Sequence, residues 1–589
     1  MNTASIREEY PRPQFVRSDW LNLNGPWRFG FDDENVGERD KWHSTEQPFD
    51  REILVPFCYE SPLSGISCTS MHKIVWYRRS FTLTDAFQGK RVMLHFGAVD
   101  YMASVWINGS FIGSHEGGHT PFSFDITDAL QEGENVIAVR AKDDHLNKAV
   151  PRGKQYWKEQ SESIFYTRTT GIWQTVWLEP VPEFSLEKVQ CTPDLDRHRI
   201  ELVVFLRGEL PHKKVHLAVK VEFKGEVVAE VKVGVSQEIS TCAIDLSGHS
   251  GYENRNWSPE HPNLYDITYE LMQDGETVDS VSSYFGMRKI AIEDGRICLN
   301  HQPYFMKLVL DQGYHPEGIL TFPSDDAIRQ DVEWTKEMGF NGARKHQKIE
   351  DPRYLYWCDR LGLLVWGEMA NAHDFNETYV SRFTAEWVRA IERDYNHPCI
   401  VVWVPLNESW GVPHILTDAR EQNHAMSLYY LTKSLDPTRL VVSNDGWEQV
   451  QTDLLTVHDY ESREAVLQQR YGSLDQMLES RPAGRMLWAG GYGYKEEPVI
   501  LSEFGGISYD PNHGEFYINY SAAESEEDLL ERLAAVVRPA LRSPFLQGFC
   551  YTQLTDVEQE INGLLTYDRK PKLPLEKIRA VLEGTSIRE

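Results

Sequence analysis

Two carboxylates brought to one bond would give this chain its chemistry, and two stretches of sequence supply them. NHPCIVVWVPLNESWG (396–411) carries Glu408 just past the apolar run Ile400–Val404, which Pro405 stops. VILSEFGG (499–506) carries Glu503 at the end of a second apolar run. Each run reads as a strand buried on both faces, and proline ends such a strand because it has no ladder donor. A carboxylate at the C-terminal end of a buried parallel strand is how a (β/α)8 barrel presents its reacting groups, since the site is built from the loops after the strands. At a separation of roughly 5 Å the pair would perform retaining glycoside hydrolysis, one attacking the anomeric carbon and the other protonating the departing oxygen. That division of labour requires a protonated Glu408 and a charged Glu503, which burial and neighbouring charge can arrange. Asn407 is placed to hold a sugar hydroxyl beside the reacting carbon. The competing reading makes both glutamates rim salt-bridge residues.

The elements that must position these groups alternate strand and helix after Gly286. Ser324 is set to cap a helix with Asp325 and Asp326 in its first turn, Ile328, Val332 and Thr335 on its buried side, and Gly339 at its end. RYLYWCDRL, closed by Gly362, and a segment with Phe383, Trp387 and Ile391 on one face predict two more helices. Eight strands are predicted at 304–310, 340–344, 363–367, 400–404, 440–443, 454–458, 499–502 and 547–551. Strands alternating with helices imply parallel connections, and eight of them in about 300 residues fit a closed barrel better than an open sheet.

Upstream the rhythm is all-β. Short alternating runs between Tyr10 and Pro180, among them VWYRRSF, RVMLHFG and WQTVWLE, predict a jelly-roll-like β-sandwich, with a tight hairpin at Asn108-Gly109. A second set over 181–285 suits an immunoglobulin-like sandwich. The expected domains are therefore 1–180, 181–285 and 286–589. The segment 142–166 lacks apolar periodicity and reads as a long functional loop, and 461–497 is a longer insertion between strands six and seven.

With 589 residues the chain is too long for one core, and its 17 Trp suit the apolar faces of sugars as well as large cores. A formal net charge of −29 and no clustered Lys/Arg patch argue against nucleic acid. No signal-like or membrane-spanning apolar stretch is seen, so a cytoplasmic location without membrane contact is expected. The eight cysteines show no disulfide or zinc spacing and read as reduced, buried hydrophobes. No cofactor is indicated, and a homo-oligomer is compatible with the sequence.

RDYNHPCIVVWVPLNES (393–409) resembles the acid/base signature of glycoside hydrolase family 2, and VILSEFGG resembles that family's nucleophile segment. LNLNGPWRFGFD, VWINGSFIGSHEGGHTPFSFDIT and TTGIWQTVWLE are similar to its N-terminal sugar-binding sandwich, and NGLLTYDRKPK to the end of its barrel. The resemblance spans nearly the whole chain. It implies a retaining exo-glycosidase with Glu408 as acid/base, Glu503 as nucleophile, and Arg344 holding the nucleophile in its charged form; an ion pair of Arg344 with another rim acid is the alternative. Tyr460 loosely matches an active-site tyrosine. Glu368 and Asn371 match strand-three rim residues, Glu368 being equally able to pair with Arg344.

Departures from the family pattern bear on the substrate. Asp311 and Gln312 stand where Arg-His-Glu is usual, and the resemblance puts Tyr551 in the place of the strand-eight tryptophan, followed by Gln553 and Asp556. The Asn-x-Lys pair used against a sugar carboxylate aligns with Glu560 and Asn562, and an unpaired Glu560 would repel a uronate. A neutral sugar is therefore expected, β-galactoside first, with α-L-arabinoside or β-D-galactofuranoside as alternatives. Asp311 would accept from sugar hydroxyls, and Trp447 or Tyr551 would stack on the ring. No carboxylate stands near Phe165 to complete a metal site with His373, so no metal is expected. The rivals of other classes are a non-catalytic carbohydrate-binding protein and a metal-dependent hydrolase.

Overall fold

Runs of β-branched and aromatic residues too short for helices form eight parallel strands, each followed by a return across the outside. In the computed structural model, which describes residues 6–46, 48–210, 214–249, 255–510 and 520–585, these are β1 (Met306–Asp311), β2 (Gly342–Lys345), β3 (Leu364–Glu368), β4 (Ile400–Val404), β5 (Leu440–Val441), β6 (Leu455–Asp459), β7 (Val499–Gly505) and β8 (Leu546–Thr552). They pair in the order β5-β4-β3-β2-β1-β8-β7-β6, that of a barrel whose ring is cut between β5 and β6. All five residues of β4 are buried, as expected of a strand covered on both faces. Gly342 is needed in β2 because a Cβ there would lie 2.4 Å from the Leu308 side chain of β1.

The helices begin and end where their caps dictate. Ser324 accepts from Ala327 N at 3.1 Å at the head of Asp325–Glu337, and Ile328, Val332 and Thr335 face inward. Pro352–Leu361 ends at Gly362, whose φ of 77° is left-handed. Glu377–Asp394 buries Phe383, Trp387 and Ile391.

The N-terminal region forms four-stranded and six-stranded antiparallel sheets, with the hairpin at Asn108 (φ 49°) and Gly109 (φ 81°). The middle region packs a three-stranded sheet on a four-stranded one. Both contact the barrel, at opposite ends of its strands. Asn396, just before β4, bonds Cys191 N (2.8 Å) and Val189 O (2.7 Å), and Arg288 reaches Pro398 O and Ile400 O. The middle domain thus fixes the base of β4. The loop 142–166 reaches the opposite end: Arg152 N and Gly153 N both donate to Asn371 O just beyond β3. A Cβ on Gly153 (φ 60°) would lie 2.2 Å from Gln347 O, so only glycine permits this approach. Among the described residues no helix is long and apolar enough to cross a membrane.

Candidate active site

Glu408 and Glu503 meet at the C-terminal mouth of the barrel. After the break at Pro405 the ladder resumes, Leu406–Asn407 pairing in parallel with Asn444–Asp445 beyond β5. Glu408 N donates to Asp445 O at 3.0 Å, and Ser409 N to Asn444 Oδ1 at 2.9 Å. These bonds hold Glu408 and Ser409 at φ values of 52° and 61°, a left-handed turn that brings the Glu408 side chain over the barrel axis. Glu503 arrives from inside β7. One carboxylate oxygen of each residue, and a ring nitrogen of His458, lie within 4.8 Å of one another.

Arg344 organises the floor. Its Nη1 is 2.8 Å from Glu503 Oε1 and 2.6 Å from Asp445 Oδ2, its Nη2 donates to Asn407 Oδ1 at 2.6 Å, and its Nε donates to Glu368 Oε2 at 2.6 Å. Every guanidinium nitrogen is thus occupied by protein, so Arg344 fixes Glu503 in place and has no nitrogen left over. Asn407 N donates to Asn371 Oδ1 at 2.8 Å, and its oxygen is held by Arg344. Its amide nitrogen makes no bond among the described residues, and remains available to a sugar hydroxyl. Tyr460 donates to Glu503 Oε2 at 2.6 Å. Burial and the Glu503 charge push the phenol well above its ordinary range, keeping it a donor.

His458 and Asp445 belong to the same cluster, and the sequence reading missed both. His458 spans Glu408 Oε1 (2.7 Å) and Asp445 Oδ2 (2.9 Å), and its Nδ1 stands 3.5 Å from Glu503 Oε2. Burial opposes its charge, but Glu503, Asp445 and the hydrogen bonds to Asp445 and Glu408 prevail and raise its pKa to about 10. The ring is therefore an imidazolium donating to both carboxylates. Asp445 is likewise buried, yet Arg344 and His458 hold it below the usual carboxylate range. The signal for His458 was its parity with Tyr460: residues two apart on a strand share a face.

Four sequence assignments are corrected. Asp311 is buried beside the barrel axis, its Oδ2 taken by Lys345 Nζ at 2.7 Å and its Oδ1 by Gly313 N at 2.8 Å, so it is a structural ion pair and not a hydroxyl acceptor. Glu368 is fully buried under Arg344 and accepts from Gln347 N; its sugar-rim role gives way to the alternative, the ion pair. Tyr551 is fully buried against Phe504 and offers no stacking face. Its neighbour Thr552 is the residue turned to the mouth, 3.1 Å from Tyr460 OH. Gln553 is sealed in a chain running from Gln312 through Asn562 to Glu560. Trp447 does line the mouth, 5.4 Å from the His458 ring and covered by Arg485 of the 461–497 insertion.

An aromatic wall from the N-terminal sandwich completes the rim. Phe165 lies 5.5 Å from Trp410, two residues past Glu408, and Trp157 and His373 pack beside them. Burial lowers the His373 pKa to about 3, leaving a neutral ring.

A β-sandwich leaning over a parallel barrel, with two carboxylates converging from β4 and β7, is the layout of a double-carboxylate site. The descriptions "Glycosyl hydrolases family 2, sugar binding domain", "Glycosyl hydrolases family 2" and "Glycosyl hydrolases family 2, TIM barrel domain" match residues 21–182, 184–288 and 290–587. The chain belongs to glycosyl hydrolase family 2. It is similar to a β-galactosidase of Thermoanaerobacter pseudethanolicus, 27% identical over 66% of this chain and 51% of that protein. A putative β-glucuronidase of Formosa agariphila is 28% identical over 62% of this chain and 44% of its own length. The chain thus spans about half the length of these relatives. Among solved structures, Bifidobacterium dentium β-glucuronidase complexed with coumarin-3-O-glucuronide superposes with a TM-score of 0.79 over 98% of this chain and 99% of its own, at 20% identity, a likeness of fold.

Proposed function

We propose that this glycoside hydrolase is a retaining exo-glycosidase working by double displacement, with Glu503 as nucleophile and Glu408 as acid/base. The observation that carries this reading is the convergence of the two carboxylates, an oxygen of each lying within 4.8 Å of the other, which agrees with the short spacing of retaining enzymes. Glu503 attacks the anomeric carbon while Glu408 delivers a proton to the leaving oxygen. Glu408 then takes a proton from water as the covalent intermediate is hydrolysed. Asn407 binds the hydroxyl beside the reacting carbon, where bonding strengthens as positive charge develops.

The galacto configuration is our first choice for the terminal sugar, supported by the similarity to β-galactosidases over most of the chain. α-L-Arabinosides and β-D-galactofuranosides have equivalent anomeric stereochemistry and stand next. With Glu408, Glu503, Asn407 and Tyr460 in one hydrogen-bonded constellation around Arg344 and His458, nothing favours a non-catalytic binding protein. The test is NMR of the first-formed sugar from a panel of nitrophenyl glycosides. Retained configuration is expected; inverted configuration would sink the double displacement.

A further inference from the structure

Three carboxylates surround the His458 ring, and one of them has no other donor. The ring turns Nε2 to Asp445 Oδ2 at 2.9 Å and Nδ1 to Glu408 Oε1 at 2.7 Å, and the same Nδ1 is 3.5 Å from Glu503 Oε2. Asp445 Oδ2 also meets Arg344 Nη1 at 2.6 Å. Glu503 accepts from Arg344 Nη1 on Oε1 (2.8 Å) and from the Tyr460 hydroxyl on Oε2 (2.6 Å). Such donors favour the charged form, so Asp445 and Glu503 are held as carboxylates. The Glu408 side chain has, among the described residues, its bond to His458 and no other. With Asp445 charged, Nε2 carries a hydrogen. The short contact between Nδ1 and Oε1 then needs one hydrogen more, and drawn on the ring or on Glu408 it is the same proton.

The seat of the ring is built for this arrangement. His458 is fully buried, the Trp447 ring meets it T-shaped at 5.4 Å, and a Cβ on Gly446 (φ 98°) would lie 2.5 Å from Nδ1, so glycine is what leaves the ring its room. The other titratable groups around it are Arg344, which braces Asp445 and Glu503, Tyr460, which donates to Glu503, and His346, whose ring burial keeps neutral.

From this geometry we infer that His458 and Glu408 hold the proton of the acid/base step between them: it rests on Nδ1, passes through Glu408 to the departing oxygen, and returns by the same route when water attacks. The inference rests on the assignment of Glu408 as acid/base, and His458 acts through Glu408 as a positioning residue. In the first half-reaction the Nδ1–H bond breaks and Glu408 takes the proton. It then passes to the glycosidic oxygen as that oxygen parts from the anomeric carbon and a Glu503 oxygen bonds to it. In the second, the water oxygen bonds to the anomeric carbon, the bond to Glu503 breaks, and the water proton goes to Glu408 and back to Nδ1. Glu503 gives this transfer its timing. On attack it gives up its charge, so the ring loses an anion 3.5 Å from the nitrogen that releases the proton, and the anion is restored when the proton must return. Burial works against a charged ring throughout, and Glu503 is the strongest of the groups that favour one.

The test is the pH dependence of kcat/KM for wild type and His458→Asn. An asparagine Nδ2 can stand where Nδ1 does, so it still donates to Glu408 but cannot part with a proton. For a pair holding one proton, the alkaline limb of wild type reports loss of that proton from the pair, and the limb of the variant reports loss from Glu408 alone. With an alkyl or nitrophenyl glycoside the limb should therefore move to lower pH by about one pH unit or more, a loss of about tenfold per unit at alkaline pH. A dinitrophenolate departs without a proton, so the dinitrophenyl glycoside should show no such shift. A ring that is only a fixed positive charge predicts the opposite sign, because removing it lets Glu408 keep its proton to higher pH. A limb that moves up, or stays, overturns the inference. Should His458→Asn fail to fold, the Nδ1 proton is read by NMR of protein carrying 15N-labelled histidine: its far-downfield signal should move upfield in Glu408→Gln, and an unmoved signal overturns the shared proton. If Glu408→Ala costs good and poor leaving groups alike, it is the acid/base assignment that fails, and the same signal decides by itself whether the two residues share a proton.

Discussion

Replacing Glu408 by alanine separates the two halves of the proposed reaction. The Glu408 side chain makes one described hydrogen bond, from His458 at 2.7 Å, and its backbone is pinned by Asp445 O. Alanine can occupy the same left-handed turn, so the loss should report chemistry and not folding. Proton delivery to the leaving oxygen contributes about 10²–10⁴-fold, or roughly 3–5 kcal/mol. For a nitrophenyl or alkyl glycoside, kcat/KM should fall by that factor. A dinitrophenolate departs without a proton, so kcat/KM for a dinitrophenyl glycoside should stay within about tenfold of wild type. Its kcat should nevertheless drop, because deglycosylation still lacks its base, and KM should drop with it as the glycosyl-enzyme accumulates. The vacated space borders the His458 imidazolium and suits a small anion. Added azide should therefore restore kcat for the dinitrophenyl substrate and yield a glycosyl azide of the substrate's own configuration. Steady-state kinetics across leaving groups and NMR of the azide product are the assays. Equal loss for good and poor leaving groups, or an azide of inverted configuration, would refute the assignment of Glu408 as acid/base.

Glu503→Gln should abolish turnover for every leaving group, since the proposed mechanism leaves Glu408 to serve only as acid/base; residual activity that scales with wild type across substrates would place the nucleophile elsewhere. His458, with a folded pKa of about 10 above its ordinary 6.5, adds stability that is fully present below about pH 6.5 and lost as pH rises through about 10. The difference in urea midpoint between wild type and His458→Gln should thus shrink over that window, and a difference constant from neutral to alkaline pH contradicts the imidazolium. Lys345→Met leaves Asp311 and Glu350 buried without their shared cation and should cost about 3–5 kcal/mol in denaturant unfolding. A loss confined to KM, with stability unchanged, would return Asp311 to the substrate surface.

What the sequence disclosed follows from how narrow each requirement is. A strand covered on both faces must be an apolar run, and a helix must begin at a residue able to accept from its first free N–H groups, so β4 and the Ser324 cap are visible in their residue types. Depth is not visible. Asp311, Glu368 and Thr552 all close barrel strands, yet only Thr552 has a side-chain contact with the Tyr460–Glu503 pair, because Lys345 and Arg344 occupy the other two. The misplacement of Tyr551 is a parity error that alternation could have caught. Phe549 and Tyr551 both pack on Phe504, leaving Cys550 and Thr552 on the other face of β8.

The substrate side was opaque for a different physical reason. The reacting carbon demands carboxylates at fixed separation, and few residue types meet that demand, so Glu408 and Glu503 carry their own signal. The loop 142–166 is anchored by backbone groups, Arg152 N and Gly153 N to Asn371 O and Tyr166 N to Lys154 O, which almost any sequence supplies. Only Gly153 is constrained there, by the close approach of Gln347 O. Side chains on such a loop can change without disturbing the docking. The substrate-facing rim is therefore a property of the assembled mouth, where Phe165 and Trp157 of the sandwich pack against Trp410 and His373 of the barrel, and barrel motifs alone leave that part unread.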